Sequence, residues 1–375
     1  MRPKLLFVFS DDRFFWSHRL PMAQAALSNG YEVIIATGVY KYGQEIQDNG
    51  FRLIPLKLNR KTGSVLNELS AIRQLKKIYS EERPDIIHHV AIKAVLYGSI
   101  AGVGTRIPVL NALTGLGYLA ASSSAKAAVI RSVVWNAFGF FFNRPNRMIL
   151  VENEQDKALL VEKLGIAGNR IVVTRGSGVN VQTFHPEPEP LGVPVVALAS
   201  RMLWIKGVRE FVEAAQRLRN KGVSARFVLA GDTDANNPSC VPREQLTEWQ
   251  ASGTVEWWGH QHDMPGLFRQ VNLVCLPSHG GEGVPKVLME AAACGRAIVS
   301  THVPGCRDIV QDGSSGLLVQ PKDPAGLAEA IEKLISDAGL RAKMAQRGRD
   351  IAVREYSEEA AVQETLDLYG KLLAR

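Results

Sequence analysis

Two carboxylates and two cations in the second half of the chain have the types and spacing to hold a diphosphate that also carries hydroxyls. Glu282 and Glu290 are separated by seven residues in Pro277-Ser278-His279-Gly280-Gly281-Glu282-Gly283-Val284-Pro285 and the run that follows to Gly295. A carboxylate does not bind phosphate; it accepts hydrogen bonds from hydroxyls. The glycine-rich turn leads into a helix read as opening at Pro285 and capped by Gly295. A helix N-terminus offers unpaired amides and partial positive charge to an anion. Arg201 and Lys206 stand in Ser200-Arg201-Met202-Leu203-Trp204-Ile205-Lys206-Gly207. Arginine brings a fork and lysine a compact charge, and together they can clamp a diphosphate. A nucleotide-sugar meets both demands. The plainer alternatives are a surface helix carboxylate at Glu290 and, at Glu282, a glutamate that assists a helix N-terminus.

The elements that must position these residues follow from apolar runs. Residues 5–9 are a continuous apolar stretch of strand length, 18–29 has helical spacing, and 31–36 is a second strand. The alternation continues with strands at 51–56, 85–89, 107–111, 147–151 and 170–174, and helices near 65–80, 93–103, 126–142 and 153–164. A stretch with three alternating prolines, Pro186, Pro188 and Pro190, then breaks the pattern. It reads as an extended linker. Beyond it strands are expected at 194–199, 225–230, 254–257, 272–276, 297–300 and 316–319, with helices between them and three more near 324–336, 338–353 and 357–373. Strands apolar on both faces and separated by helices predict parallel sheets wrapped by helices. The predicted organisation is an α/β chain of two Rossmann-like domains facing across a cleft. Residues 1–180 form the first, 181–192 the linker, 193–355 the second, and 356–375 a helix that packs back on the first. The ligand belongs at the carboxyl ends of the strands.

Composition narrows the class. The chain has 375 residues, 46% hydrophobic, with a net charge of +7. Residues 1–185 hold 23 Lys/Arg against 13 Asp/Glu, and the remainder holds 21 against 24. No acid occurs between Asp85 and Glu152, a span that carries Lys93, Arg106, Lys126, Arg131, Arg144 and Arg147. Such one-sided charge points to an anionic partner for the first half: nucleic acid, acidic lipid or a phosphorylated acceptor. The four cysteines form no C-x-x-C pair, and residues 5–9 are too short for a secretory h-region and run directly into Asp11-Asp12. A reduced, cytoplasmic setting is expected. No stretch of about 20 apolar residues predicts a transmembrane helix.

Other motifs lead elsewhere. Gly115-Leu116-Gly117-Tyr118-Leu119-Ala120 matches a dinucleotide fingerprint, but it follows the fifth strand and lacks the acid expected about 20 positions on. It reads as an acceptor-side loop. His88-His89 and His260-x-His262 lack a ligand set for zinc, so no metal is expected. The helix 127–142 is the most apolar in the chain and carries one charge, Arg131. Such a helix is ordinarily buried, yet here it can also lie in a membrane interface beside anionic lipid.

Arg201 and Lys206, Gly231-Asp232, the Glu282/Glu290 spacing, Pro304-Gly305-Cys306-Arg307-Asp308 and Asp312-Gly313 together resemble the retaining glycosyltransferases of family 4, which have the GT-B fold. The resemblance covers essentially the whole chain. Phe15-Trp16-Ser17-His18-Arg19-Leu20-Pro21 and Leu113-Thr114-Gly115-Leu116-Gly117-Tyr118 resemble the subgroup that builds bacterial surface polysaccharide or lipid-linked glycans. It implies that Arg201 and Lys206 hold the donor diphosphate, that Glu282 contacts the transferred sugar with the amides of Gly283 and Val284 nearby, and that Glu290 binds the ribose. A loop with Gly259 and Met264 would edge the base. Two departures stand out. Ser10-Asp11-Asp12-Arg13 replaces the family's Gly-Gly turn, and Asn111-Ala112-Leu113-Thr114-Gly115 holds no histidine. His18, read as opening the first helix, is the substitute for touching the acceptor; a capping or packing histidine is its alternative. The implied activity moves a hexose or N-acetylhexosamine from a UDP-sugar to a polyprenyl-diphosphate-linked sugar. It would act at the cytoplasmic face of the inner membrane, peripherally on an anionic surface, with no nucleic acid, cofactor or metal. A covalent route would require a carboxylate beneath the anomeric carbon, and Glu282 stays open for that part. A nucleotide-sugar 2-epimerase of the same fold and a non-catalytic sugar- or lipid-binding protein are the alternatives.

Overall fold

A computed structural model describes residues 2–58, 65–116, 125–235 and 237–374. The chain divides into two compact units, Met1–Ser177 with Glu359–Arg375, and Gly178–Glu358. In the first unit seven strands form one parallel sheet: β1 (Lys4–Val8), β2 (Glu32–Thr37), β3 (Arg52–Pro55), β4 (Ile86–Val90), β5 (Val109–Leu113), β6 (Arg147–Val151) and β7 (Ile171–Val173). Their order is β3-β2-β1-β4-β5-β6-β7, so the direction of winding reverses between β1 and β4. β4, β5 and β6 are buried along their whole length, as their apolar runs predict. The last helix, Glu358–Leu373, packs Leu368, Tyr369 and Leu372 into the core of this sheet. The Tyr369 hydroxyl lies 2.6 Å from His88 Nδ1.

The second unit repeats the plan with six strands: β8 (Val195–Ala199), β9 (Arg226–Ala230), β10 (Glu256–Gly259), β11 (Leu273–Leu276), β12 (Ala297–Thr301) and β13 (Leu317–Val319). The order β10-β9-β8-β11-β12-β13 places the reversal between β8 and β11, which pair through Leu273↔Val196 and Val274↔Ala197. Helices cover both faces, because β8, β11 and β12 are buried on both sides and leave no face for water. The stretch from Val181 to Pro190 is tied to this unit. Arg341 Nη2 donates to Glu189 at 2.7 Å, and Arg296 and Arg349 donate to the carbonyls of Glu187 and Phe184. The alternating prolines supply extended backbone whose carbonyls those arginines take up.

Several elements differ from the sequence expectation. The helix expected over 18–29 is two helices, Asp12–His18 and Leu20–Ser28, broken at Arg19 ahead of Pro21. The short helices Gly43–Asp48 and Cys306–Ile309 are additional. β10 runs two residues later than expected, with Trp258 and Gly259 inside it. Pro285 is the flanking N-cap residue (φ −64°, ψ 120°) of the helix Lys286–Ala293, and not its first residue. Its extended ψ lets the glycine turn end one residue later than the proline rule places it. Among the described residues no helix is long and apolar enough to cross a membrane.

Candidate active site

The loops that leave β8 and β11 emerge side by side at the carboxyl edge of the second sheet, where strand order reverses. This is the position at which open α/β sheets bind ligands. Close backbone approach joins them. Gly207 (φ +76°) leaves no room for a Cβ against the Pro277 carbonyl, and Gly305 (φ +76°) leaves none against the Gly283 carbonyl. Both glycines combine a left-handed backbone with a contact that any side chain would break. His279 N–H donates to the Ile205 carbonyl at 2.9 Å, and Ser278 Oγ lies 3.2 Å from the same oxygen. Thr301 Oγ1 donates to the Ser278 carbonyl at 2.5 Å, which ties the turn to β12 as well.

This packing brings Lys206 and Glu282 together. Lys206 Nζ lies 2.6 and 2.8 Å from the two Glu282 carboxylate oxygens, and Ser278 Oγ donates to Oε1 at 2.7 Å. The lysine side chain is 19% exposed and the glutamate 10%. Arg201, in the same loop as Lys206, turns to Asp234 at 2.8 Å and is half exposed. The two cations are therefore each held by a carboxylate, within reach of the solvent edge. A diphosphate can compete for them by offering more negative charge to the same donors.

Glu290 is no surface carboxylate: it is buried in the helix Lys286–Ala293. Burial pushes its pKa up to about 7, and Lys286, 3.8 Å away, pulls it back only in part. It lies in the second turn of a helix that Glu282 precedes in sequence. Val284 packs its side chain into the core beneath, and Gly283 beside it is buried as well. Gly259 closes β10 with φ +65° and its carbonyl accepts from Gly231 N–H at 2.7 Å. Met264 opens the helix Met264–Arg269 and packs partly on the same core.

His18 belongs to the first unit. It ends the helix Asp12–His18 instead of opening one, because Asp11 caps that helix at Arg13 N–H. Its ring stacks on Phe14 at 4.4 Å and Nδ1 lies 2.7 Å from Ser17 Oγ. His88 and His89 are buried on β4. His89 Nε2 meets the Tyr79 hydroxyl at 2.8 Å and Nδ1 meets Asn111 Oδ1 at 2.8 Å. Burial lowers the pKa of His89 to about 4, so the ring is neutral at ordinary pH. Asn111, at the start of the stretch that lacks the family histidine, is thus a buried partner of β4. Gly117 to Ala120 of the G-x-G-x-x-A run, and the side chains of Lys126 and Arg131, lie outside the described residues.

Three further residues of this edge escape motif reading. Asp234 holds Arg201, Ser278 holds Glu282, and Glu210 faces His279 with Oε2 2.9 Å from Nε2. Burial alone would raise the Glu210 carboxyl, but the close approach of the His279 imidazole outweighs it and holds the pKa below the usual range. Glu210's place in the first turn of the helix Val208–Asn220 was the available signal, since an acid there is ordinarily read only as helix stabilisation.

The two units match two family models, Glycosyl transferase 4-like over residues 4–147 and Glycosyl transferases group 1 over residues 193–337. The chain is 30% identical over 369 residues, 95% of each protein, to the N,N'-diacetylbacillosaminyl-diphospho-undecaprenol alpha-1,3-N-acetylgalactosaminyltransferase of Campylobacter jejuni. Its fold superposes on the sucrose-phosphate synthase of Thermosynechococcus elongatus (TM-score 0.84, 19% identity, 100% of each chain). It also superposes on Anabaena HepE in complex with UDP and glucose (TM-score 0.79, 19% identity, 98% of this chain and 99% of that one). With two parallel sheets, each with a strand reversal, and a relative matched end to end, the chain belongs to the family 4 glycosyltransferases and has the GT-B fold.

Proposed function

We propose that the protein transfers a hexose or N-acetylhexosamine from a UDP-sugar to a sugar carried on a polyprenyl diphosphate, with retention at the anomeric carbon. The observation that carries the reading is the Lys206–Glu282–Ser278 cluster at the strand reversal. It combines a cation for the diphosphate with a carboxylate for sugar hydroxyls, in a chain whose full-length relative acts on a diphospho-undecaprenol-linked sugar. The donor diphosphate draws Lys206 and Arg201 from their carboxylates. Glu282, released from Lys206, accepts from the hydroxyls of the sugar that moves, while Glu290 accepts from the ribose. The leaving diphosphate is stabilised where its charge develops, and its departing oxygen takes the acceptor proton on the same face of the sugar. Two cations offset the diphosphate, so the reading assigns no metal to the site.

The acceptor's lipid places the protein at a membrane surface, and the first unit has a suitable face. On the helix Ala125–Phe142, Val133 and Phe140 are about 60% exposed, and the Arg144 guanidinium lies 4.5 Å over the Phe140 ring. An exposed aromatic under a cation, in a span without acids, suits an anionic lipid interface. The test is incubation with each UDP-sugar and a polyprenyl-diphosphate-sugar, UDP-N-acetylgalactosamine first. Transfer to the lipid-linked sugar is expected. Donor epimerisation without acceptor, or binding without turnover, would replace this reading.

A further inference from the structure

The roles above leave His279 and Glu210 unused. His279 sits at the start of the glycine turn, three residues before Glu282, and its imidazole reaches back to the helix Val208–Asn220 that follows the Arg201/Lys206 loop. The contact is 2.9 Å, with the side chains 18% and 12% exposed. The His279 amide is tied to the same loop through the Ile205 carbonyl. Two pairs of ionisable side chains therefore join the turn to the neighbouring loop and helix: His279 on Glu210, and Glu282 on Lys206. Gly280 and Gly281 lie between them. Under the reading proposed above, donor binding consumes the second anchor, because Lys206 goes to the diphosphate and Glu282 to the sugar.

We propose that the His279–Glu210 pair is a positioning pair that keeps the turn seated when the donor breaks the Lys206–Glu282 contact. Neither residue touches donor; both act through the position of Glu282. His279 Nε2 and Glu210 Oε2 lie 2.9 Å apart and mostly shielded from water, so the contact loses little to solvent and holds one geometry, which suits a fixed point beside a contact that must exchange. Without it the turn occupies its seated form only part of the time. The apparent donor affinity then falls by that fraction, while the complex, once formed, turns over nearly normally.

The proposal rests on the donor reading, and its test separates the two. Calorimetry with UDP-N-acetylgalactosamine and steady-state kinetics are run on the wild type, His279→Ala, Glu210→Ala, the double variant and His279→Gln. About a tenfold rise in donor KM is expected for either alanine variant, with kcat changed less than threefold. The double variant is expected to be no worse than the singles, which is the signature of one shared contact. His279→Gln, whose amide nitrogen falls near the position of Nε2, is expected to recover most of the affinity. If His279→Ala does not fold, His279→Asn, too short to span the gap, takes its place with the same expected rise. Donor KM unchanged in the alanine variants, or effects that multiply in the double variant, would overturn the positioning role alone. A wild type that binds no UDP-sugar of the set would remove the donor reading and this pair's role with it.

Discussion

Replacing Lys206 by methionine removes one charge from the centre of the site and keeps most of the side chain's volume. The lysine nitrogen is 2.6 and 2.8 Å from the Glu282 oxygens, with the pair mostly shielded from water. Breaking a fully buried ion pair by removing one partner costs about 3–5 kcal/mol, whereas an exposed pair contributes about 0–1 kcal/mol. The partial exposure of Lys206 and the surviving bond from Ser278 place Lys206→Met between them, at about 2 kcal/mol. The donor loses a charge-assisted bond of about 1.5–3 kcal/mol, or roughly 10- to 150-fold in affinity. The double variant Lys206→Met with Glu282→Gln leaves no unpaired charge, so its stability should return to within about 1 kcal/mol of wild type. Its donor binding should not return. Trp204 belongs to the same loop and four of the six tryptophans lie in the second unit, so urea unfolding followed by tryptophan fluorescence reports chiefly the second unit, and calorimetry with UDP-N-acetylgalactosamine reports affinity. Equal destabilisation in the single and double variants, or unchanged affinity in Lys206→Met, would refute the reasoning.

Gly305→Ala forces a Cβ onto the Gly283 carbonyl at a left-handed backbone angle. It should lower the second unit's melting temperature and abolish transfer, and a variant that melts and turns over like wild type would show that the two loops are not in contact. Glu290 has a folded pKa raised to about 7 from an ordinary 4.5. A raised carboxyl favours the fold while protonated, so its contribution is present below pH 4.5 and is lost as pH climbs to about 7. Glu290→Gln should therefore be the more stable protein at pH 8, by up to about 3 kcal/mol, and indistinguishable at pH 4; equal stability at pH 8 would contradict the burial argument. Because a ribose diol is held best by the ionised form, wild-type affinity for UDP-N-acetylgalactosamine should rise between pH 6 and 8, and this rise should vanish in Glu290→Gln. Flotation with anionic liposomes should weaken in salt and on Phe140→Ser or Arg144→Ser; flotation indifferent to all three would remove the lipid-facing role of that helix.

The strand plan was legible because burial on both faces favours continuous apolar runs: strands read at 194–199 and 297–300 are found as Val195–Ala199 and Ala297–Thr301. Boundaries were less legible where local chemistry overrides periodicity. Asp11 caps a helix through Phe14, Phe15 and Trp16, three adjacent aromatics with no helical spacing to reveal it. At the site, the residue types of Arg201, Lys206, Glu282 and Glu290 mark the chemistry, and strand alternation puts their loops on one edge. What pairs with what depends on contacts between segments far apart in sequence. Asp234 is 33 residues from Arg201, and Lys206 is 76 from Glu282. The depth of Glu290 depends likewise on how its helix rolls against the sheet, and so the alternative of a surface carboxylate stayed open until the packing was known.

The most direct test is a single reaction: purified protein, UDP-N-acetylgalactosamine or another UDP-sugar, and a polyprenyl-diphosphate-linked sugar, with the product's anomeric configuration read by NMR. One of these donors should yield an α-linked disaccharide on the lipid, with the donor's configuration retained and loss of product in Lys206→Met and Glu282→Gln. A β-linked product would contradict retention, and turnover that survives both substitutions would contradict the assignment of Lys206 and Glu282 to donor diphosphate and transferred sugar.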